Sequence, residues 1–137
     1  MEKKINKISG IIVGILLLIG LIVFFYKKNQ FMIDYKFTTG HITEVNAPGW
    51  KNSGDYAVLY QYVVGNKVYQ NNNNFKFCNY QTMQKMRIVL KDKKFPVAYS
   101  TKDATMSIML ITKKDAERFK YKIPDSLLIY DSILTCK

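Results

Sequence analysis

Residues able to do chemistry are few and scattered. His41 is the one histidine, and Cys78 and Cys136 are the two cysteines, among 137 residues. One imidazole excludes a two-histidine metal site within the chain. A thiolate–imidazole nucleophile would need Cys78 or Cys136 to meet His41 in space, and no spacing indicates that. The carboxylates Asp34, Glu44, Asp55, Asp92, Asp103, Asp115, Glu117, Asp125 and Asp131 are scattered, and Asp92, Asp103 and Asp115 adjoin lysines. None has paired-acid or cation-ligand spacing. Asp115 and Glu117 stand two apart, so a helix would point them to different sides. Ser126 and Ser132 lack a nucleophile-elbow context, and no phosphate-cradling glycine loop occurs. The expectation is a chain that is not an enzyme and takes neither cofactor nor metal. Cys78 and Cys136 are a candidate disulfide if the domain is exported. It would close a loop of roughly 58 residues and stabilise the fold by a few kcal/mol. Two separate thiols are the alternative, because spacing alone does not give the distance between the cysteines.

Such residues need elements to position them, and composition bounds those elements. The chain is 48% apolar and 14% aromatic, which excludes a disordered chain. Its length fits one domain with a short appendage. The net charge is +11, and with ten tyrosines this raises nucleic-acid binding. The aromatics, however, fall in strand patterns that need them for a core. A basic surface beside anionic headgroups accounts for the charge, so no nucleic-acid partner is expected.

The 19 residues from Ile8 to Tyr26 carry no charge. As a helix they would cover ~28 Å, close to the hydrocarbon core of a bilayer. Every face would be apolar, which suits lipid rather than a protein surface. Ile8, Gly10, Gly14, Leu17, Leu21, Phe24, Phe25 and Tyr26 are the candidate anchor residues, with the last three placed for an aromatic belt. A cleaved signal peptide would have a shorter apolar run and a small-residue cleavage site, so a retained signal anchor is expected. Lys3, Lys4 and Lys7 balance Lys27, Lys28 and Lys36 across the span, so the positive-inside count is a tie. The short N-terminal tail favours the cytoplasm, placing the C-terminal domain outside. Gly10 and Gly14 have the G-x-x-x-G spacing of a helix–helix contact, a candidate homodimer face.

The chain divides into a basic tail (1–7), a transmembrane helix (8–26), a linker (27–30) and a small domain (31–137). Phe31 to Phe37 and His41 to Val45 alternate as strand, bent at Gly40. Residues 47–55 read as a loop carrying Trp50, a candidate contact residue. Tyr56 to Val64 is the strongest strand. Gly65-Asn66 suits a two-residue type II′ hairpin that would pair Val63 with Val68 and Tyr62 with Tyr69. The run Asn71 to Asn74 breaks the pattern and favours a loop, strand end or solvated face, with the strand resuming at Phe75 to Cys78. A helix is expected over Gln81 to Leu90, strands over Phe95 to Ser100 and Ser107 to Thr112, a capping box at Thr112 and Asp115, and a last helix over Leu127 to Leu134. The fold class is α+β, with an N-terminal transmembrane helix, then mainly antiparallel strands, then short C-terminal helices.

Three of these segments resemble a bacterial family of small, membrane-anchored, β-rich domains of unknown function. They are Thr39-Gly40-His41-Ile42-Thr43-Glu44-Val45, the aromatic strand and hairpin from Val58 to Tyr69, and Val97-Ala98-Tyr99 with Ser107 a few residues on. The resemblance implies the anchored β-rich head and brings no catalytic residues. The functional expectation is a single-pass, non-enzymatic interaction or accessory protein of the bacterial envelope, with the bilayer and an unidentified protein as partners. A small-ligand or peptide sensor using a cleft lined by Tyr60, Tyr62 and Tyr69 is the alternative. An immunity-type protein neutralising a toxin at the membrane is a variant of it.

Overall fold

The fold, taken from a computed structural model, is described for residues 2–46, 55–76 and 80–134. The chain forms two compact units, divided between Asp34 and Tyr35. The first is a single helix, α1 (Glu2–Ile33), 32 residues long. Within it Ile12–Ile33, 22 residues, is long and apolar enough to cross a membrane. Side chains from Ile12 through Asn29 are all exposed. The expected linker 27–30 is therefore helical, and Phe31 to Ile33 is helix rather than the start of a strand. No Gly or Pro interrupts Lys27 to Ile33, and each residue added to an existing helix gains a hydrogen bond at no nucleation cost. The helix closes with the Asp34 N–H donating to the Gln30 carbonyl at 2.9 Å.

The second unit contains β1 (Tyr35–Asn46), β2 (Asp55–Val64), β3 (Lys67–Lys76), α2 (Tyr80–Leu90), β4 (Lys94–Ser100), β5 (Ser107–Met109), α3 (Lys113–Arg118) and α4 (Asp125–Leu134). The strands form one antiparallel sheet of five in the order β3-β2-β1-β4-β5. The spatial run β4-β1-β2-β3 is a Greek key.

β1 serves both halves of this sheet, and Gly40 makes that geometry fit. Gly40 pairs with Tyr62 of β2 and with Phe95 of β4. A Cβ there would lie 2.7 Å from Val97 Cγ2, 2.9 Å from the Gln61 carbonyl and 3.0 Å from Met109 Cε. A register shift between Ile42 and Glu44 explains the imperfect alternation of this stretch: it returns Val45 to the inner face with Ile42.

The hairpin forms as the sequence indicates. Val63 faces Val68 and Tyr62 faces Tyr69. Gly65 has φ +60 and Asn66 has no positive φ, which fits a type II′ turn. The Asn run is neither loop nor strand end: Asn71 to Asn74 lie in the middle of β3, with Asn72 and Asn74 on its solvated face. β5 is also shorter than the expected Ser107 to Thr112 and ends at Met109. There the chain turns off: Leu110 N–H donates to the Pro96 carbonyl at 2.8 Å, and Thr112 caps α3.

Inner-face residues Ile42, Val45, Val58, Tyr60, Tyr62, Phe95, Val97 and Met109 form the core together with Met86 and Leu90 of α2. Leu127 and Tyr130 of α4 pack against it, with the Tyr130 ring edge-on to Phe95 at 5.4 Å. On the outer face, Tyr35 stacks edge-on to Phe119 at 5.0 Å and donates its hydroxyl to the Phe119 carbonyl at 2.9 Å. The capping box expected at Thr112 is present: its Oγ1 accepts the Asp115 N–H at 3.2 Å and donates to Asp115 Oδ2 at 2.6 Å.

Candidate functional site

The densest polar cluster lies where the two sheet edges meet. β1, β3 and β5 share one direction, so the free edges of β3 and β5 approach as a parallel pair. Side-chain amides span them. Asn73 Nδ2 donates to the Met109 carbonyl at 2.7 Å, and its Oδ1 accepts the Met109 N–H at 3.3 Å. One residue pair along, Asn71 Oδ1 accepts the Asn72 N–H at 2.8 Å. Its Nδ2 points to the Thr105 carbonyl at 3.1 Å and Ser107 Oγ at 3.0 Å. Each amide therefore acts as a spacer carrying the ladder from one edge to the other. The result is a five-stranded, nearly closed Greek-key barrel, with α2 inserted between β3 and β4. Such an architecture assigns no activity by itself.

The tyrosines complete this seam from within. Tyr60 OH and Ser107 Oγ lie 3.0 Å apart, and Tyr62 donates to the Ala104 carbonyl. The Tyr62 and Tyr69 rings stack at 5.6 Å. Burial pushes the Tyr60 hydroxyl far above the usual phenol range, and the bond with Ser107 pulls only partly the other way. Burial likewise raises Tyr62. Both hydroxyls stay protonated through neutral pH, so they are fixed hydrogen-bonding groups and supply no general base.

These placements revise the sequence expectations. Tyr60 and Tyr62 are 0% and 1% exposed, so they are core residues and offer no contact surface. Tyr69 is half-buried against them. The cleft expected between these three rings is filled by Ser107, Asn71 and the opposing strands. Their inward direction follows from the alternation of β2: every second residue from Val58 faces the core.

His41 is exposed on the outer face, in register with Gln61 and Lys94. Trp50, Cys78 and Cys136 lie outside the described residues. Ile8, Gly10, Gly14, Leu17, Leu21, Phe24, Phe25 and Tyr26 all lie on α1, and a Cβ at Gly14 would meet open space. Among the described residues no group of three or more His, Cys, Asp or Glu could hold a metal ion. Asp115 has its carboxyl raised by burial, with the Thr112 hydroxyl acting in the opposite direction. It is a helix-capping group rather than one facing a cavity. The described groove between α3 and the start of α4, lined by Ala116, Tyr121, Ile123 and Leu128 among others, has a volume of about 210 Å³. That is below the usual range for small-molecule sites.

Asn71, Asn73 and Ser107 carry the seam, and the sequence reading passed over them. A signal was present: Tyr69, Asn71, Asn73 and Phe75 share one parity, and Tyr69 and Phe75 are inward aromatics bracketing the amides. The second feature of the surface is the hairpin tip. Val63 and Val68, paired across β2 and β3, are 50% and 65% exposed, and the exposed Lys67 lies beside them. Comparison with protein-family models, with curated proteins and with solved structures gave no match.

Proposed function

We propose that the chain is a single-pass membrane protein whose barrel is a non-catalytic interaction module held at the surface of a bacterial envelope membrane. The observation that carries this reading is the segment Ile12–Ile33, apolar enough and long enough to cross a membrane, with every side chain from Ile12 through Asn29 exposed. A helix with apolar side chains exposed all round, such as Leu17 at 66% and Ile22 at 64%, matches hydrocarbon and not water. The mechanism is tethering: an anchor raises the local concentration of the head near membrane partners without any new contact. The barrel interior supports the non-catalytic part, since its polar groups are engaged with one another at the seam. With the flanking lysines tied, the short tail before the span favours a cytoplasmic N-terminus and an exported barrel. Cys78 and Cys136 then lie in a compartment where a bridge can form.

Alkaline carbonate extraction of membranes from expressing cells tests the anchor. The full-length, unprocessed chain is expected in the pellet and released only by detergent. Recovery in the supernatant, or of a chain shortened at its N-terminus, would refute it. Labelling Cys78 and Cys136 in intact cells with an impermeant thiol reagent, before and after reduction, reports orientation. Labelling that needs permeabilisation even after reduction places the barrel in the cytoplasm.

A further inference from the structure

We propose that the barrel rests on an anionic lipid surface through the β2–β3 hairpin tip and the lysines around it. This rests on the membrane-anchor reading above and adds a second, reversible contact to it.

The hairpin tip belongs to the end of the barrel where β1 begins. Thr38 Oγ1 donates to the Val63 carbonyl at 3.0 Å, fixing the hairpin against the fourth residue of β1. Tyr35 pairs with Ser100, so the loop after β4 leaves at the same end, and Tyr62 reaches the Ala104 carbonyl within it. The turn after α3 joins them, since the Phe37 and Tyr121 rings lie 4.8 Å apart. This end exposes Val63 and Val68 as a cross-strand pair, together with Phe37 at 41%. It also exposes Lys36, Lys67, Lys102 and Lys120, one from each of the segments gathered there. Asp103, the acid of that loop, is turned to the backbone N–H and hydroxyl of Thr105.

Chain connectivity supplies the partner. Asp34 alone separates α1 from β1, so Tyr35 lies within two Cα steps, ~8 Å, of the end of the helix. Five helical residues, ~8 Å, follow Lys28, so by chain connectivity Tyr35 lies within ~15 Å of the lysines that flank the span. Aliphatic side chains flanked by lysines suit the headgroup layer, with the valines at the acyl boundary and the ammonium groups on phosphates. A second basic face, on α2 and the turn that follows it, pairs the exposed Lys85, Arg87 and Lys91 with Ile88, 82% exposed. It lies farther along β1, where the Asp92 N–H meets the carbonyl of Ile42, the eighth of its twelve residues. Seven residues of strand from Tyr35 to Ile42 are ~23 Å, beyond the ~8 Å reach of exposed charge at physiological salt. The α2 face is thus an internal control.

The test uses the full chain in lipid nanodiscs, with a benzophenone amino acid in place of Asn66 at the turn. Illumination in discs of phosphatidylcholine mixed with phosphatidylglycerol is expected to give a lipid adduct detectable by mass. The yield should fall about fivefold or more in phosphatidylcholine alone. It should fall similarly when Lys36→Gln, Lys67→Gln, Lys102→Gln and Lys120→Gln are combined, and stay unchanged with Lys85→Gln and Lys91→Gln. Absence of the adduct in mixed discs that hold the chain overturns the contact while leaving the anchor intact. A yield indifferent to headgroup charge, or lost equally on changing α2, overturns it as well. A chain that fails to enter discs at all refutes the anchor instead.

Discussion

Replacing Asn73 tests whether side-chain amides hold the barrel closed. Asn73→Ala removes both bonds to the Met109 backbone, the donor at 2.7 Å and the acceptor at 3.3 Å. Met109 is 0% exposed, so its N–H would lose the Asn73 acceptor in a site closed to bulk water, while its carbonyl keeps the Ile111 N–H at 3.2 Å. Each unsatisfied buried backbone group costs ~1–3 kcal/mol. Asn73 itself is half-buried, and water entering along the seam would offset part of this. The expected loss is therefore about 1–3 kcal/mol, a sizeable share of the ~5–15 kcal/mol typical of a small domain. Asn72→Ala and Asn74→Ala are the controls: their side chains face solvent, and each should stay within ~0.5 kcal/mol of the parent. Urea unfolding of the full chain in detergent micelles, followed by circular dichroism, gives the stability differences. Hydrogen exchange at the Met109 amide gives the local reading, with Asn73→Ala accelerating it. Equal stability of Asn73→Ala and Asn74→Ala, with Met109 exchange unchanged, would refute closure by amides.

Three further outcomes follow from the same geometry. Gly40→Ala should destabilise by ~1–3 kcal/mol in the same unfolding assay, because its Cβ would meet Val97 at 2.7 Å and the Gln61 carbonyl at 2.9 Å, whereas Gly14→Ala, with open space around it, should leave the barrel unaffected. Tyr60 and Tyr62 ionise above the ordinary phenol value of 10.0 when folded, so the stability they contribute is intact below pH 10 and falls as the pH rises beyond it. Phenolate absorbance should show these two titrating only as the barrel unfolds. The Asp115 carboxyl is raised above 3.8 by burial, so the folded state binds its proton more tightly, and stability rises as the pH falls through the folded value towards 3.8. Asp115→Asn should remove that slope, and an unchanged pH profile of unfolding would locate the effect elsewhere.

Much of the barrel was legible because its strands alternate and its turns carry their own chemistry. Gly65-Asn66 set the hairpin register to the residue, and Thr112 with Asp115 marked the start of α3. Gly40 was legible as a special position, though not for its cause: two partner strands and the Met109 side chain crowd its Cα. The junction at Phe31 to Ile33 was misread because its alternation is as compatible with one more helical turn as with a strand. The preceding helix decided between them. The Asn run was misread in part, for a different reason. Amides are poor strand formers when judged singly, and what keeps Asn71 and Asn73 in β3 is a partner on β5 more than thirty residues away.

That long-range dependence bears on how the head works. A five-stranded sheet with a three-residue β5 cannot close by backbone pairing along the full length of β3. Backbone edges left open are sites for pairing with other chains. Asn71 and Asn73 cover the middle of the β3 edge, and the tyrosines beneath them fill the space that a ligand would occupy in a wider barrel. For the interaction module proposed above, contact with a partner then falls to the outside of the barrel. There the exposed side chains at the hairpin tip are Val63, Val68 and Lys67, the groups on which the proposed lipid contact relies.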